Sequence, residues 1–160
     1  MGEIGGYEAV IATPLGRLGL RMSGAALSAL DYLPADAPEH PPVDAATETA
    51  TAHVLAYFKD CRVPLTVPLA LTGTVFQQRV WTALQAIPAG TVLTYGGLAH
   101  QLGTSARAIG GACRSNPIPI VIPCHRVVSR QGLGGYAGEV TGDLLAIKRW
   151  LLKHEGAAVA

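Results

Sequence analysis

Residues 94–114 read Thr94-Tyr95-Gly96-Gly97-Leu98-Ala99-His100-Gln101-Leu102-Gly103-Thr104-Ser105-Ala106-Arg107-Ala108-Ile109-Gly110-Gly111-Ala112-Cys113-Arg114, and they decide the fold of the second half of the chain. The Thr94 hydroxyl can accept a hydrogen bond from a first-turn amide, so it starts a helix running through Leu98 and Leu102. Gly103 stops that helix, because glycine enters the left-handed conformation at little cost. Thr104 or Ser105 then caps a second helix through Ile109 to Arg114. The result is helix, short turn, helix. The second helix offers Arg107 and Arg114 on a run of small residues that includes Ala106, Ala108, Gly110, Gly111 and Ala112. A helical glycine costs roughly 1 kcal/mol relative to alanine, so its use suggests that something comes close. A backbone phosphate and a tightly packed neighbouring helix both satisfy that pattern.

Outward from this core, Thr74 can cap a helix whose apolar positions Phe76, Val80, Trp81, Leu84 and Ile87 recur at helical spacing until Pro88. Ala89-Gly90 makes a turn. On the other side, Asn116-Pro117-Ile118-Pro119-Ile120-Val121-Ile122 is an apolar run whose prolines deny it a regular ladder and a helix alike. Such a run is expected to carry the following Pro123-Cys124-His125-Arg126 on a stiff, extended, buried path. A last helix, 143–155, buries Leu144, Ile147 and Leu151, and Gly156 can end it. The N-terminal half has a different texture: short, partly alternating segments at 7–12, 18–22 and 27–32 predict an antiparallel sheet. A helix is expected over 48–58, and the proline-bearing segment 63–71 reads as a linker or edge strand. The fold class expected is α/β of the α+β kind, with domains at 1–73 and 74–160.

A chain of 160 residues with 49% hydrophobic content can bury a real core, which excludes a disordered protein. No apolar run reaches membrane-spanning length, and the first residues lack the basic-then-apolar order of a leader, so the expected location is cytoplasmic. Cys61, Cys113 and Cys124 are odd in number and widely spaced, which fits reduced thiols better than a disulfide framework. The net charge of +1 conceals a division: residues 1–73 carry −4 and residues 74–160 carry +5. Between Asp60 and Glu139 there is no carboxylate, while Arg62, Arg79, Arg107, Arg114, Arg126 and Arg130 all fall there. Such a half faces a polyanion or is a solvated basic surface.

Cys124 beside His125 is a candidate nucleophile, although a buried cysteine is more often a small hydrophobe and reactivity depends on surroundings that favour the thiolate. A zinc site is disfavoured, because Cys61, Cys113, Cys124, His100 and His125 lack paired ligands at short spacing. Glu155 lies near a helix C-terminus, where the dipole disfavours a negative charge, so a cationic or hydrogen-bonding partner is expected for it.

Taken in order, Phe76-Gln77-Gln78-Arg79-Val80-Trp81, Ile87-Pro88-Ala89-Gly90, Thr94-Tyr95-Gly96, Ala106-Arg107-Ala108-Ile109-Gly110, and Asn116-Pro117-Ile118-Pro119 through Pro123-Cys124-His125-Arg126-Val127-Val128 resemble the O6-alkylguanine-DNA alkyltransferases. The resemblance covers 74–156 and is looser in the N-terminal half, chiefly Thr13-Pro14-Leu15-Gly16. It implies an N-terminal ribonuclease-H-like domain and a C-terminal winged helix-turn-helix domain holding both the DNA site and the thiol. It further implies direct-reversal repair: a methyl or other alkyl group passes from O6 of guanine, and from O4 of thymine, to Cys124, once per molecule. The implied partner is double-stranded DNA containing O6-alkylguanine, bound through the minor groove by a monomer without cofactor, metal, membrane or obligatory protein partner.

By matching position, the resemblance makes Cys124 the alkyl acceptor, with His125 taking its proton through a water, Glu155 holding His125 and Asn116 bracing the backbone. Arg107 resembles the residue that fills the space of a flipped base, and Tyr95 the one that presses on the adjacent phosphate. Thr94, Ala106, Arg114 and Arg126 join them at the DNA, while Tyr95, Cys113, Pro119, Val127, Tyr136 and Ala137 surround the base. A neighbouring imidazolium would favour the thiolate. A module that only binds alkylated DNA is the rival reading, and Cys124 speaks against it.

Overall fold

Alternating apolar residues after Tyr7 fold into three strands, β1 (Ala9–Thr13), β2 (Gly16–Ser23) and β3 (Ala26–Leu33), paired antiparallel in chain order. The computed structural model describes residues 6–136 and 143–157, and the chain divides into two units, Met1–Leu71 and Thr72–Ala160. In the first unit Thr13 ties the β1–β2 turn. Its hydroxyl donates to the Gly16 carbonyl at 2.8 Å and accepts from the Leu15 amide at 3.1 Å, while Gly16 takes φ +99°. Helix α1 (Ala45–Lys59) starts three residues before the expected Glu48, because the Asp44 carboxylate caps it by accepting from the Thr47 amide at 2.8 Å. Its Val54 and Tyr57 belong to one core with Leu18, Leu20, Leu27 and Leu30. The segment 63–71 reaches β3 through a single bridge, Leu27 to Leu69. Pro68 contributes only its carbonyl there, to the Leu27 amide at 2.8 Å, as an edge proline must.

The second unit begins with α2 (Val75–Gln85), closed by a capping box: the Gln77 amide donates to the Thr74 hydroxyl at 3.0 Å and the Thr74 amide to the Gln77 side chain at 2.9 Å. After a short β4 (Leu93–Thr94) come α3 (Tyr95–Leu102), capped by Thr94, and α4 (Ala106–Arg114), capped by Ser105. Gly103 at φ +67° ends α3 as its composition demands. The indole of Trp81 donates to the Ala112 carbonyl at 2.9 Å, which pins α4 to α2 from inside the core. The chain then enters the proline-spaced run and a 3₁₀ turn, Cys124–Arg126, followed by β5 (Val127–Val128). Strand β5 pairs parallel with β4, so the thiol-bearing turn is registered directly beside the start of α3. Helix α5 (Asp143–His154) closes the described unit, with Lys148, Leu151 and Leu152 buried. The architecture is mixed α and β in both halves.

The run 116–122 departs from the extended path its prolines suggest. Ile120 sits at φ +76°, and the Ile122 amide returns to the Ile118 carbonyl at 2.9 Å, so the run is a tight turn. A β-branched residue in that region is strained by roughly 1–3 kcal/mol. Its side chain is 1% exposed, and burial of the isoleucine is what offsets the strain.

Candidate active site

Asn116 stitches the turn together. Its amide donates from Nδ2 to the Ile122 carbonyl at 2.8 Å, and its Oδ1 accepts from the Ile118 amide at 2.9 Å. The ends of the run are thereby fixed, and Cys124, two residues beyond Ile122, inherits the rigidity. Its thiol is a free, buried one. Burial pushes the Cys124 pKa up, while a hydrogen bond from Asn116 and the positive charge of Lys148 pull it down. The resting group is a thiol held where a thiolate would be met by donors.

His125 is fully buried, and its Nε2 lies 2.7 Å from Oε2 of Glu155. Burial pushes the imidazole below its ordinary 6.5, against the opposing pull of Glu155, so the ring is neutral at neutral pH. Desolvation outweighs one carboxylate already shared with an arginine, so the imidazolium expected beside the thiolate is the form the ring takes on receiving a proton and not its resting form. A neutral ring facing a carboxylate must carry its proton on Nε2, which leaves Nδ1 as a bare acceptor. Nδ1 is buried with no hydrogen-bond partner among the described residues. The tautomer set by Glu155 makes His125 a base with its receiving atom free.

Arg126 departs from expectation. Instead of reaching DNA, its guanidinium turns inward, donating from Nε to Oε1 of Glu155 at 2.9 Å, from Nη2 to Oε2 at 2.9 Å, and from Nη1 to the Ile87 carbonyl at 2.6 Å. Its side chain is 10% exposed against 0% for Glu155. Charge alone indicates that an arginine needs an anion, and here the anion is internal. The same bonds answer the mild conflict of Glu155 at the end of α5. They also explain Ile87-Pro88-Ala89-Gly90, whose chemistry the sequence hid. Ile87 supplies the carbonyl, and a Cβ at Gly90, which has φ +88°, would lie 3.1 Å from the Glu155 carbonyl.

Lys148 is a second residue missed in the sequence. It lies in α5 at helical spacing from Leu144 and Leu151, on the face that packs inward, which was the available signal. The ammonium is fully buried and donates to the carbonyls of Val127 at 2.7 Å and Gly135 at 2.8 Å. Burial pushes its pKa down to about 8. Cys113, in α4, is buried and pushed up to about 12, chiefly by desolvation.

On the surface, the start of α3, the first half of α4 and the segment 129–131 bound a cleft of about 470 Å³, lined by Tyr95, Gly96, Ala106, Arg107, Gly110, Ser129, Arg130 and Gln131. A Cβ at Gly96, Gly110 or Gly111 would meet nothing within 4 Å. A tightly packed neighbour among the described residues is therefore excluded at these glycines. Tyr95 is half-buried at the edge of this cleft. It lines the cleft, its hydroxyl donates weakly to the Gly135 carbonyl at 3.4 Å, and burial plus the charges Cys113 and Cys124 can carry push its pKa well above the ordinary tyrosine value. Of the residues expected at DNA, Tyr95, Ala106 and Arg107 meet at this cleft. Arg114 is exposed two helical turns further on, about 10 Å along α4. Thr94 spends its hydroxyl on the Gly97 amide at 2.9 Å. Of those expected at the base, Cys113, Val127 and Tyr136 are buried, Pro119 is half-buried, and Ala137 lies outside the described residues.

Residues 75–157 match the model of the 6-O-methylguanine DNA methyltransferase DNA-binding domain, which is more than half of the chain. The chain belongs to this methyltransferase family. A methylated-DNA--protein-cysteine methyltransferase of Shigella flexneri is 54% identical over 94 residues, covering 57% of this chain and 52% of that protein. The chain thus spans about half the length of that relative. A mouse protein of the same name is 37% identical across 92% of this chain and 80% of its own length. Among solved structures, Mycobacterium tuberculosis OGT in complex with DNA superposes with a TM-score of 0.76 at 40% identity, covering 91% of this chain and 90% of that one. Membership of the methyltransferase family accounts for the mixed α/β architecture. Among the described residues no helix is long and apolar enough to cross a membrane, and no cluster of His, Cys, Asp and Glu could hold a metal ion.

Proposed function

We propose that this chain repairs DNA by direct reversal, moving an alkyl group from O6 of guanine, or O4 of thymine, onto Cys124 in a single turnover. The observation that carries this reading is the buried His125–Glu155 pair next in the chain to Cys124, with a bare His125 Nδ1 as acceptor, in the same unit as a surface cleft that presents Arg107. A stacked base cannot bring its O6 carbon to a sulfur that is 5% exposed, so the nucleotide must be extruded at a cost of a few kcal/mol. Arg107, exposed in the cleft, is suited to occupy the vacated stack from the minor groove. The Cys124 proton passes through a water to His125 Nδ1, and Nε2–H remains on Glu155. Sulfur attacks the alkyl carbon in line. The carbon–oxygen bond breaks, and its electron pair stays on the base. Tyr95, kept protonated by burial, is a donor for the charge that develops there. The product is a thioether, which is a poor leaving group, so each molecule acts once.

The first unit, three antiparallel strands followed by a helix, is read as ribonuclease-H-like, and the second as a winged helix-turn-helix, with 1–73 and 74–160 as the domains. The functional state is a cytoplasmic monomer working without cofactor on alkylated duplex. Tyr95, Thr94, Ala106, Arg107 and Arg114 serve the duplex, and Tyr95, Cys113, Pro119, Val127, Tyr136 and Ala137 surround the base. Intact mass after incubation with an O6-methylguanine duplex tests the proposal. One added methyl on a peptide containing Cys124, absent in Cys124→Ala, is expected. Continuous turnover, or a methyl found elsewhere, would refute it.

A further inference from the structure

Arg130 shares the surface cleft with Arg107 and Tyr95, but it comes from a different element. The sheet register puts it there. Strand β4 pairs with β5 so that Thr94 lies opposite Val128, and the next residues, Tyr95 and Ser129, leave the two strands at the same end. Tyr95 opens α3, whereas Ser129 opens a turn through Arg130 and Gln131 to Gly132. That turn is held short. The Ser129 hydroxyl accepts from the Gln131 amide at 3.1 Å, and the Gly132 amide donates to the Ser129 carbonyl at 3.4 Å. The returning chain then closes on Tyr95: a Cβ at Gly134, which has φ +73°, would lie 3.0 Å from the Tyr95 ring and 3.2 Å from the Ser129 amide. Arg130 and Gln131 are therefore carried exposed at the tip of a mount fixed at both ends. Two guanidiniums at one cleft repel each other until an anion comes between them. Among the described residues no carboxylate lines the cleft, and none pairs with Arg107 or Arg130. Arg126 shows the contrast, since its anion is internal and its side chain turns inward to meet it. Arg130 has the same charge, and its turn holds it outside.

We infer that Arg130 is a phosphate clamp: it grips a backbone phosphate of the duplex at the lip of the cleft while Arg107 enters the base stack, an assignment that rests on the DNA reading proposed above. The two arginines act differently because their mounts differ. Arg107 stands in the first turn of α4, on a helix whose Gly110 and Gly111 leave open space where side chains would project, so a duplex can come close to it. Arg130 stands on the tip of a short turn at the opposite wall, where a planar guanidinium can take two oxygens of one phosphate. Extruding a nucleotide turns the backbone on either side of it, and a strand free to slide would follow the base. A phosphate held at the lip stops that slide and keeps the stack in register with Arg107. Contacts of this kind position the duplex and carry no sequence information, so Arg130 adds affinity without a sequence preference.

The test is the salt dependence of binding. Affinity for an unmodified duplex is measured against salt concentration in the full chain, in Arg130→Gln, in Arg130→Lys and, to control for net charge, in Lys59→Gln, which removes an exposed cation of the first unit. Loss of one phosphate contact should flatten the slope of log affinity against log salt by about 0.9, so the parent's advantage over Arg130→Gln should shrink about 3.5-fold between about 50 and about 200 mM salt. Arg130→Lys should recover most of the slope, because a point charge still holds a phosphate. Lys59→Gln should keep the parent slope. Melting points should coincide, since both positions are exposed. An unchanged slope in Arg130→Gln overturns the inference, and so does an equal flattening in Lys59→Gln, which would mark a general effect of charge. Methyl transfer from an O6-methylguanine duplex is scored separately. If the parent transfers no methyl while the slopes differ as expected, the repair reading falls and the clamp stands. If methyl is transferred while Arg130→Gln keeps the parent slope, the clamp falls alone, and a parent without affinity for duplex overturns both.

Discussion

Replacing Glu155 by Gln keeps the shape of the side chain and removes its charge, and the structure sets the consequence. The carboxylate accepts from His125 Nε2 at 2.7 Å and from Arg126 Nε and Nη2 at 2.9 Å each, and the His125 and Glu155 side chains are 0% exposed. An amide offers one oxygen in place of two, so at least one donor would face an NH₂ group. Arg126 would keep only the Ile87 carbonyl as a firm partner. Breaking one side of a buried ion pair costs about 3–5 kcal/mol. In a unit of this size 1 kcal/mol corresponds to roughly 4–8 °C, so the melting point should drop by about 12 °C or more. Urea unfolding followed by tryptophan fluorescence reads the effect in the right place, because Trp81 and Trp150 both belong to the second unit. Adding Arg126→Met to Glu155→Gln should restore part of the loss, with a coupling of about 2 kcal/mol or more in the double-mutant cycle. Alkyl transfer should fall about a hundredfold or more in Glu155→Gln even where the protein is folded. An amide that donates to Nε2 moves the imidazole proton to Nδ1, the atom that has to receive one. A loss of less than about 1 kcal/mol, with additive single and double variants, would show that Glu155 anchors neither neighbour.

Arg107→Ala should weaken repair of duplex DNA while leaving reaction with free O6-benzylguanine largely intact, and equal losses on both substrates would remove Arg107 from the base stack. Asn116→Ala leaves the Ile122 carbonyl and the Ile118 amide without their side-chain partner, at about 1–3 kcal/mol for each buried group left unmet. Its urea midpoint should fall and its Cys124 labelling slow together; a slowed label with full stability would confine Asn116 to the thiol. Stability should also fall on the acid side. The folded His125 has a depressed pKa, so below the ordinary 6.5 the unfolded chain takes up a proton that the folded one refuses. The stabilisation is complete above that pH and is lost as pH drops toward the folded value. Urea midpoints measured across the range should show this slope and lose much of it in His125→Gln.

What could be read in the sequence is what depends on neighbours along the chain. Thr74, Thr94 and Ser105 are caps three residues from the amides they satisfy, and Gly103 needs only its own φ, so the helix-turn-helix was legible throughout. The Asn116 brace closes over six residues, but it was expected from the family resemblance and not from the residues themselves. Arg126 was misplaced because the pair it forms with Glu155 spans 29 residues, and charge composition carries no direction. Lys148 was overlooked for a related reason: its helix face was recognised as buried, but a lysine on such a face only becomes informative once its acceptors are known. The turn at Ile120 was hidden by the prolines around it, which argue for an extended chain unless a buried side chain outweighs the backbone strain.

The two faces of the second unit ask opposite things of the chain, and the sequence divides them cleanly. Along α4, Gly110 and Gly111 hold back side chains that would have had free space, and Arg107 projects from the same short helix, so the surface is left incomplete for an outside molecule to finish. In the interior the reverse holds: Asn116, Arg126, Lys148 and Glu155 all spend polar atoms on the backbone or on each other, and among the described residues of this unit His125 Nδ1 is the buried side-chain atom left over. A buried thiol with a raised pKa is inert toward solvent and toward small oxidants that need the thiolate. The same burial strengthens every charge around it once a proton is taken away. On the single-turnover reading proposed above, rest matters as much as reactivity, because a molecule alkylated by chance is lost to its task. A protonated sulfur whose neighbour in the chain is a neutral imidazole with a bare Nδ1 meets both demands.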